Sequence, residues 1–178
     1  SWNPPERPVT QQEVDAATTV RERGVRVQRE GRAGRSLAER VDVRSEFRSA
    51  MAAHAHLEPQ SALVSVTTDG VEAWVATQSP TAVRNTLAEL LSRKRDAVTV
   101  TATWLGGAFG RRLNVEVASE AARLSAAAGV PVHVAWTRED EFRHGYVRPP
   151  VHNVLEARLE NGRVSAWRHR QASGDVAL

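Results

Sequence analysis

A chain of 178 residues with 41% hydrophobic and 25% charged residues has an ordinary globular composition, and at this length roughly 70% of the unfolded surface is open to burial, so a core forms without staples. The absence of cysteine excludes disulfides, thiolate zinc sites and iron–sulfur ligation within the chain, and the absence of any run of eighteen apolar residues excludes a helical membrane span. Net charge is only +3, carried almost entirely by arginines. The opening Ser1-Trp2-Asn3-Pro4-Pro5 has neither a signal-peptide pattern nor an initiator methionine, which leads to the expectation of a processed product, a cloned domain or a fragment of something longer.

Asn3 to Pro8 reads as a turn-rich lead-in. Gln11 to Arg23 has helical composition, with Thr10 as cap and Glu13 three residues on. Gly24 to Ser36 reads as a loop. Nine arginines fall between Arg21 and Arg48, but interleaved Glu22, Glu30, Glu39, Asp42 and Glu46 predict a solvated, locally ion-paired segment and speak against nucleic acid as a partner. Val41 to Phe47 alternates as a short strand. Ala62 to Thr68 and Val71 to Thr77 flank Asp69-Gly70, a strong hairpin signal.

Ser79-Pro80 opens a helix with Ser79 as its cap and Val83, Leu87, Leu90 and Leu91 on one face. Ala97 to Thr103 is a predicted strand. Val115 to Ala128 follows as a helix burying Val117, Ala121, Leu124 and Ala128, stopped by Gly129-Val130-Pro131. Val132 to Trp136 is the next strand, Glu139-Asp140-Glu141 after Arg138 an acidic helix start, and Val151 to Leu159 with Val164 to His169 a second hairpin across Asn161-Gly162. Trp74, Trp104, Trp136 and Trp167 read as core or sheet-face residues. The order predicts an α/β (α+β) fold: a mixed sheet with β-hairpins and two main helices packed on it.

One stretch carries chemistry. Gly106-Gly107-Ala108-Phe109-Gly110-Arg111-Arg112 lies between a strand and a helix. Glycines let backbone N–H groups approach a ligand closely, helix-start amides favour anions, and two arginines add charge. The pattern is not a P-loop, since no lysine followed by serine or threonine comes next, and not a dinucleotide fingerprint, since the glycine spacing differs. His54, His56 and Glu58 are a metal-ligating set only if the stretch is a strand that projects all three from one face; the plain alternative is a partly exposed loop or strand end.

Four phrases occur in the order found in the xanthine dehydrogenase and aldehyde oxidase family: His54-Ala55-His56-Leu57-Glu58-Pro59, Val75-Ala76-Thr77-Gln78-Ser79-Pro80, Gly106-Gly107-Ala108-Phe109-Gly110, and Trp136-Thr137-Arg138-Glu139-Asp140 followed by Tyr146-Val147-Arg148-Pro149. Together they resemble its molybdopterin-binding large subunit. The continuation Phe109-Gly110-Arg111-Arg112 is similar to the isoquinoline 1-oxidoreductase β-subunit type; the glutamate that xanthine dehydrogenases carry after the loop is replaced by Leu113, against purine recognition of their kind.

The resemblance implies a molybdenum hydroxylase that oxidises aldehydes or N-heterocycles with water-derived oxygen, using molybdopterin in its cytosine dinucleotide form. It implies cofactor contacts from Gln78, Gly106, Gly107, Phe109, Gly110 and Arg111, the last toward a cofactor phosphate or a neighbouring acid, and a substrate-orienting role for Arg148. It also implies a glutamate general base outside these residues, an iron–sulfur small subunit and a missing C-terminal half as partners, with a homo-oligomer left open. Residues 1–40 would be an arginine-rich lead-in and 41–178 a partial molybdopterin-binding domain, inert by itself. The alternative reading is a non-catalytic α/β scaffold whose arginine-rich surface holds polyanions or protein partners.

Overall fold

The computed structural model describes residues 9–21 and 24–174; the lead-in Asn3 to Pro8 lies outside them. In chain order the helices are α1 (Gln11–Ala17), α2 (Ala33–Glu39), α3 (Pro80–Leu90), α4 (Glu116–Ala128) and α5 (Arg138–His144). The longer strands are β1 (Val43–Ser49), β2 (Ser61–Val66), β3 (Val71–Val75), β4 (Val98–Ala102), β5 (Val132–Ala135), β6 (Val151–Glu160) and β7 (Arg163–Ser173). The chain forms two compact units, one from its two ends and one spanning Ala53–Val147. The mixed α/β architecture expected from the sequence is observed.

In the end-built unit, β1, β6 and β7 form an antiparallel sheet in that order. The β6–β7 hairpin turns at Asn161 and Gly162, both at positive φ (51° and 72°), as a tight right-twisted hairpin requires. Its face carries paired charges: Glu156 meets Arg168 at 2.7 Å and Arg170 at 3.6 Å, and Arg44 at 3.9 Å. His152, buried, accepts from the Val20 N–H at Nδ1, so Nε2 carries the proton and donates to Glu46 Oε1 at 2.6 Å.

Two expectations need correcting in this unit. The first helix has the predicted Thr10–Glu13 capping box but ends at Ala17, because the hydroxyls of Thr18 and Thr19 bond back to the carbonyls of Val14 and Asp15 and compete with helix propagation. The expected loop from Gly24 to Ser36 contains the start of α2, whose buried Leu37 anchors it.

The central unit is a four-stranded sheet in the order β4-β3-β2-β5. β2 and β3 are the predicted hairpin, in register from Ala62↔Val75 to Val66↔Val71, while β3 and β4 run parallel through the α3 crossover. Alternation puts Ala62 and Val64 of β2 and Val71, Ala73 and Val75 of β3 on one face, where they pack with Val83 and Leu87 of α3 and Val117, Ala118, Ala121 and Ala122 of α4. The small residues of α4 let it lie close to the sheet. Leu124 and Ala128, expected in its buried face, are exposed; the stripe runs through Val117, Ala118, Ala121, Ala122 and Ser125 instead. Ser125 is at home there because its hydroxyl accepts from Val66 N–H at 2.9 Å and donates to the Val130 carbonyl at 2.8 Å.

The tryptophans divide. Trp136 packs against the core, Trp74 and Trp167 stand on open sheet faces, and Trp104, beyond the end of β4, is 97% exposed. Among the described residues no helix is long and apolar enough to cross a membrane.

A glycine loop held by a buried arginine

The loop Gly106–Gly110 does not run directly into a helix. A short turn at Arg111–Leu113 separates it from α4, which begins at Glu116, so the helix N-terminus that the sequence suggested as an anion cradle is displaced from the glycines. Gly107 and Gly110 take φ of +94° and +97°, which L side chains resist, and Phe109 between them, 61% exposed, is held at +53°. Strain of this kind persists only where the surroundings impose it.

What imposes it is Arg112, whose side chain is 1% exposed. Its Nε donates to the Gly107 carbonyl at 2.9 Å, Nη1 to the Ala76 carbonyl at 3.2 Å, and Nη2 to the Glu58 carbonyl at 2.6 Å and to Glu58 Oε2 at 3.0 Å. Glu58 completes the clamp: its N–H donates to the Gly106 carbonyl at 3.1 Å while its carboxylate accepts from Gly106 N–H at 2.8 Å. The backbone of Arg112 is held from the other side, its carbonyl accepting from Gln78 N–H at 3.0 Å and Thr77 Oγ1 at 3.2 Å. Burial pulls the Arg112 guanidinium below its ordinary pKa, with Glu58 and Glu141 opposing; it stays charged at any physiological pH.

Gln78 is exposed, and its side-chain carbonyl accepts from Gly110 N–H at 3.1 Å. That bond spends the Gly110 donor internally and sets the sense of the amide, whose NH2 has no partner among the described residues. Ser79, expected to cap α3, makes no side-chain cap bond; Thr77 Oγ1 accepts from Ser79 N–H at 3.0 Å.

Arg111, also 1% exposed, reaches an acid: Nη1 donates to both oxygens of Glu116 at 3.2 and 3.3 Å, and the guanidinium lies 5.6 Å from the Trp136 ring centre and 5.3 Å from that of Tyr146. Arg148 belongs to the other unit, is exposed, and its side chain has no hydrogen bond or ion pair among the described residues.

The first part of the fourth phrase, Trp136 to Asp140, joins behind the loop. Arg138, at the start of α5, donates to the carbonyl of Leu57 at 2.8 Å and to that of His56; Trp136 N–H donates to the Gln60 carbonyl at 2.9 Å. The Thr137–Asp140 capping box starts α5 as the acidic turn predicted, and the Thr137 hydroxyl and N–H hold the Asp140 carboxyl below its usual range. Glu141, in contrast, is buried and accepts from Gln60 N–H at 2.8 Å.

His54, His56 and Glu58 do not form a ligand set. Ala55 at φ +44° breaks the strand, so the alternation that would align the three side chains is lost, and no metal-holding cluster is found among the described residues. His56 is fully buried, 3.6 Å from Glu141, too long for a hydrogen bond. Burial is the main influence lowering its pKa, Glu141 opposes, and Arg112, Arg138 and Arg111 reinforce; the ring is neutral. The neutral ring contributes stability that is fully present above the ordinary value of about 6.5 and lost below it, where the unfolded chain takes up the proton first. Urea unfolding between pH 8 and 5.5 is therefore expected to show stability falling below pH 6.5 by up to about 1.4 kcal/mol per pH unit, a dependence reduced in His56→Gln. A flat profile would show His56 is not desolvated.

Sequence reading missed the partnership of Glu58 and Arg112. They lie 54 positions apart, and Glu58 and Gly106 are 48 apart, so no local pattern connects them. Their only trace was that each stands inside a separate family-like phrase.

The chain matches the molybdopterin cofactor-binding domain family over residues 14–174. It is similar to isoquinoline 1-oxidoreductase subunit beta of Brevundimonas diminuta, with 37% identity over 144 residues, covering 75% of this chain and 18% of that protein. It is also similar to a membrane-bound aldehyde dehydrogenase (pyrroloquinoline-quinone) of Gluconacetobacter polyoxogenes, with 35% identity, covering 72% and 17%. Among solved structures, quinoline 2-oxidoreductase from Pseudomonas putida 86 has the same fold at a TM-score of 0.62 and 24% identity, over 71% of this chain and 17% of that one. The chain thus spans less than a fifth of the length of these relatives. With its loop, its Thr77-Gln78 element and its Glu58 clamp in one unit, and with nearly all of its length matched, the chain belongs to the molybdopterin cofactor-binding domain family of the xanthine dehydrogenase and aldehyde oxidase type.

Proposed function

We propose that this chain supplies one wall of the molybdopterin site in a larger molybdenum hydroxylase subunit, and that it is inert without the rest. The observation that carries the reading is the bond from Gly110 N–H to Gln78 Oε1 at 3.1 Å, which turns an exposed amide into a donor of fixed sense beside a loop free of side chains at Gly106, Gly107 and Gly110. These residues fit a flat, oxygen- and sulfur-rich group at one point: the Gln78 amide donates beside Gly110, where a Cβ would meet only His54 Nε2 at 4.0 Å, whereas Gly106 and Gly107 turn their missing Cβ inward against Glu58 and His56.

When bound, molybdopterin supplies two-electron oxidation of an aldehyde or N-heterocycle with oxygen drawn from water. Gln78 donates from its amide, Phe109 presents its exposed ring and backbone, and Arg111 and Arg112 fix the loop from behind. Arg148 orients substrate through its free guanidinium, the general base is a glutamate of another segment, and electrons leave through an iron–sulfur subunit. The cytosine dinucleotide form belongs to the same reading.

The test is to express these 178 residues alone and assay molybdenum and turnover. Neither stoichiometric metal nor oxidation of an aldehyde or N-heterocycle is expected; both together would overturn the one-wall reading.

A further inference from the structure

His54 stands beside the loop without a place in the cradle just described. Its Nδ1 lies 3.1 Å from the carbonyl oxygen of Tyr146. A carbonyl only accepts, so Nδ1 carries the proton, and in the neutral ring Nε2 is left with its lone pair. That lone pair is near the loop: a Cβ built on Gly110 would sit 4.0 Å from His54 Nε2, an ordinary contact distance. Gly110 is also the residue whose N–H is bound by Gln78. Two side chains of opposite sense thus flank one glycine, the donor amide of Gln78 and the acceptor nitrogen of His54.

The ring is fixed rather than free. His54 is only partly exposed and lines a small cleft with Arg111, Glu141, Phe142 and Tyr146, which has room for about one water molecule. Arg111 enters this cleft almost fully buried, its Nε and Nη2 without partners. The neighbouring Ala55 at φ +44° sends His56 inward and leaves His54 at the loop.

We infer that His54 is a ligand-contacting residue of the same wall, accepting a hydrogen bond at Nε2 from an N–H or O–H of the molybdopterin held over Gly110. The inference rests on the cradle reading. Asparagine and glutamine separate the two ring nitrogens: His54→Asn retains a donor near Nδ1 for the Tyr146 carbonyl but has no atom at the place of Nε2, whereas His54→Gln reaches that place with an amide.

The experiment uses the full-length subunit loaded with molybdopterin and reads molybdenum and pterin content after dialysis without substrate, alongside the urea midpoint. Loss of one such hydrogen bond is expected to weaken cofactor retention in His54→Asn by about five- to tenfold, with the midpoint unchanged and retention partly restored in His54→Gln. Retention by His54→Asn equal to wild type, or by His54→Gln no better than by His54→Asn, would overturn the inference while wild-type loading upholds the cradle. A wild-type subunit that holds no pterin would overturn the cradle and this inference with it.

Discussion

Arg112→Ala is expected to lower the stability of the central unit by about 3–5 kcal/mol, among the largest effects of any single substitution in the chain. The guanidinium is 1% exposed and serves carbonyls from three separate segments, at Ala76, Gly107 and Glu58, as well as the Glu58 carboxylate. The ion pair itself contributes little to this figure, because the Glu58 side chain is 40% exposed and solvent screens it. The cost arises from carbonyls left without a donor, each charge-assisted bond being worth about 1.5–3 kcal/mol. Arg112→Lys retains the charge but cannot reach three divergent carbonyls with one ammonium group, and is expected to recover less than half of the loss. Urea unfolding checks both: the midpoint should fall while the slope is unchanged. A loss below about 1 kcal/mol in Arg112→Ala would mean the carbonyls find water and the arginine is not the clamp.

The second large effect is expected at Gly106, and it comes from space rather than from backbone conformation. A Cβ there would collide with Glu58 Cβ and lie 3.1 Å from its Oε2. Glu58 Cβ has no rotamer that moves it away, since it is fixed to the main chain. Relief requires the 58 segment to part from the loop, breaking the 2.8 Å bond from Gly106 N–H and loosening Arg112 with it. Gly106→Ala is expected to destabilise by about 2–3 kcal/mol, as overpacked interiors do. It should also reduce cofactor retention by the full-length subunit at least tenfold, because the loop no longer has its shape. Gly34→Ala is the control: nothing lies within 4 Å of a Cβ at that helical position, so it should be neutral or slightly stabilising. If Gly106→Ala melts with wild type, the Glu58 segment yields freely and the loop is not rigidly held.

Much of the frame was legible in the sequence because it rests on local rules. Asp69-Gly70 and Asn161-Gly162 mark their hairpins, Pro80 opens α3, Gly129 at φ +70° closes α4, and the acidic turn after Arg138 starts α5. The errors fall where tertiary contacts overrule such rules. α2 lacks a side-chain cap and survives through Leu37, and Leu124 gives up the buried stripe of α4 to Ser125, whose hydroxyl is used by β2 and the Val130 carbonyl.

The site was legible only through the resemblance. Composition left Gly106 to Arg112 as either an anion cradle or a tight turn, and the two arginines looked like its charges. In the fold they turn inward, Arg112 to the carbonyls and Arg111 to Glu116, so that the surface of the loop is glycine, Phe109 and the neighbouring Gln78 amide. Their direction depends on Glu58 and Glu116 arriving from elsewhere, which spacing does not encode.

The central claim is that this loop and Gln78 together face the cofactor. A crystal structure of the full-length subunit loaded with molybdopterin tests it most directly. Gln78 Nε2 is expected to donate to the cofactor with the Gly110 N–H still on Gln78 Oε1, and the cofactor to lie over Gly107–Gly110. A pterin seated with no atom within hydrogen-bond distance of Gln78 or the loop would contradict it.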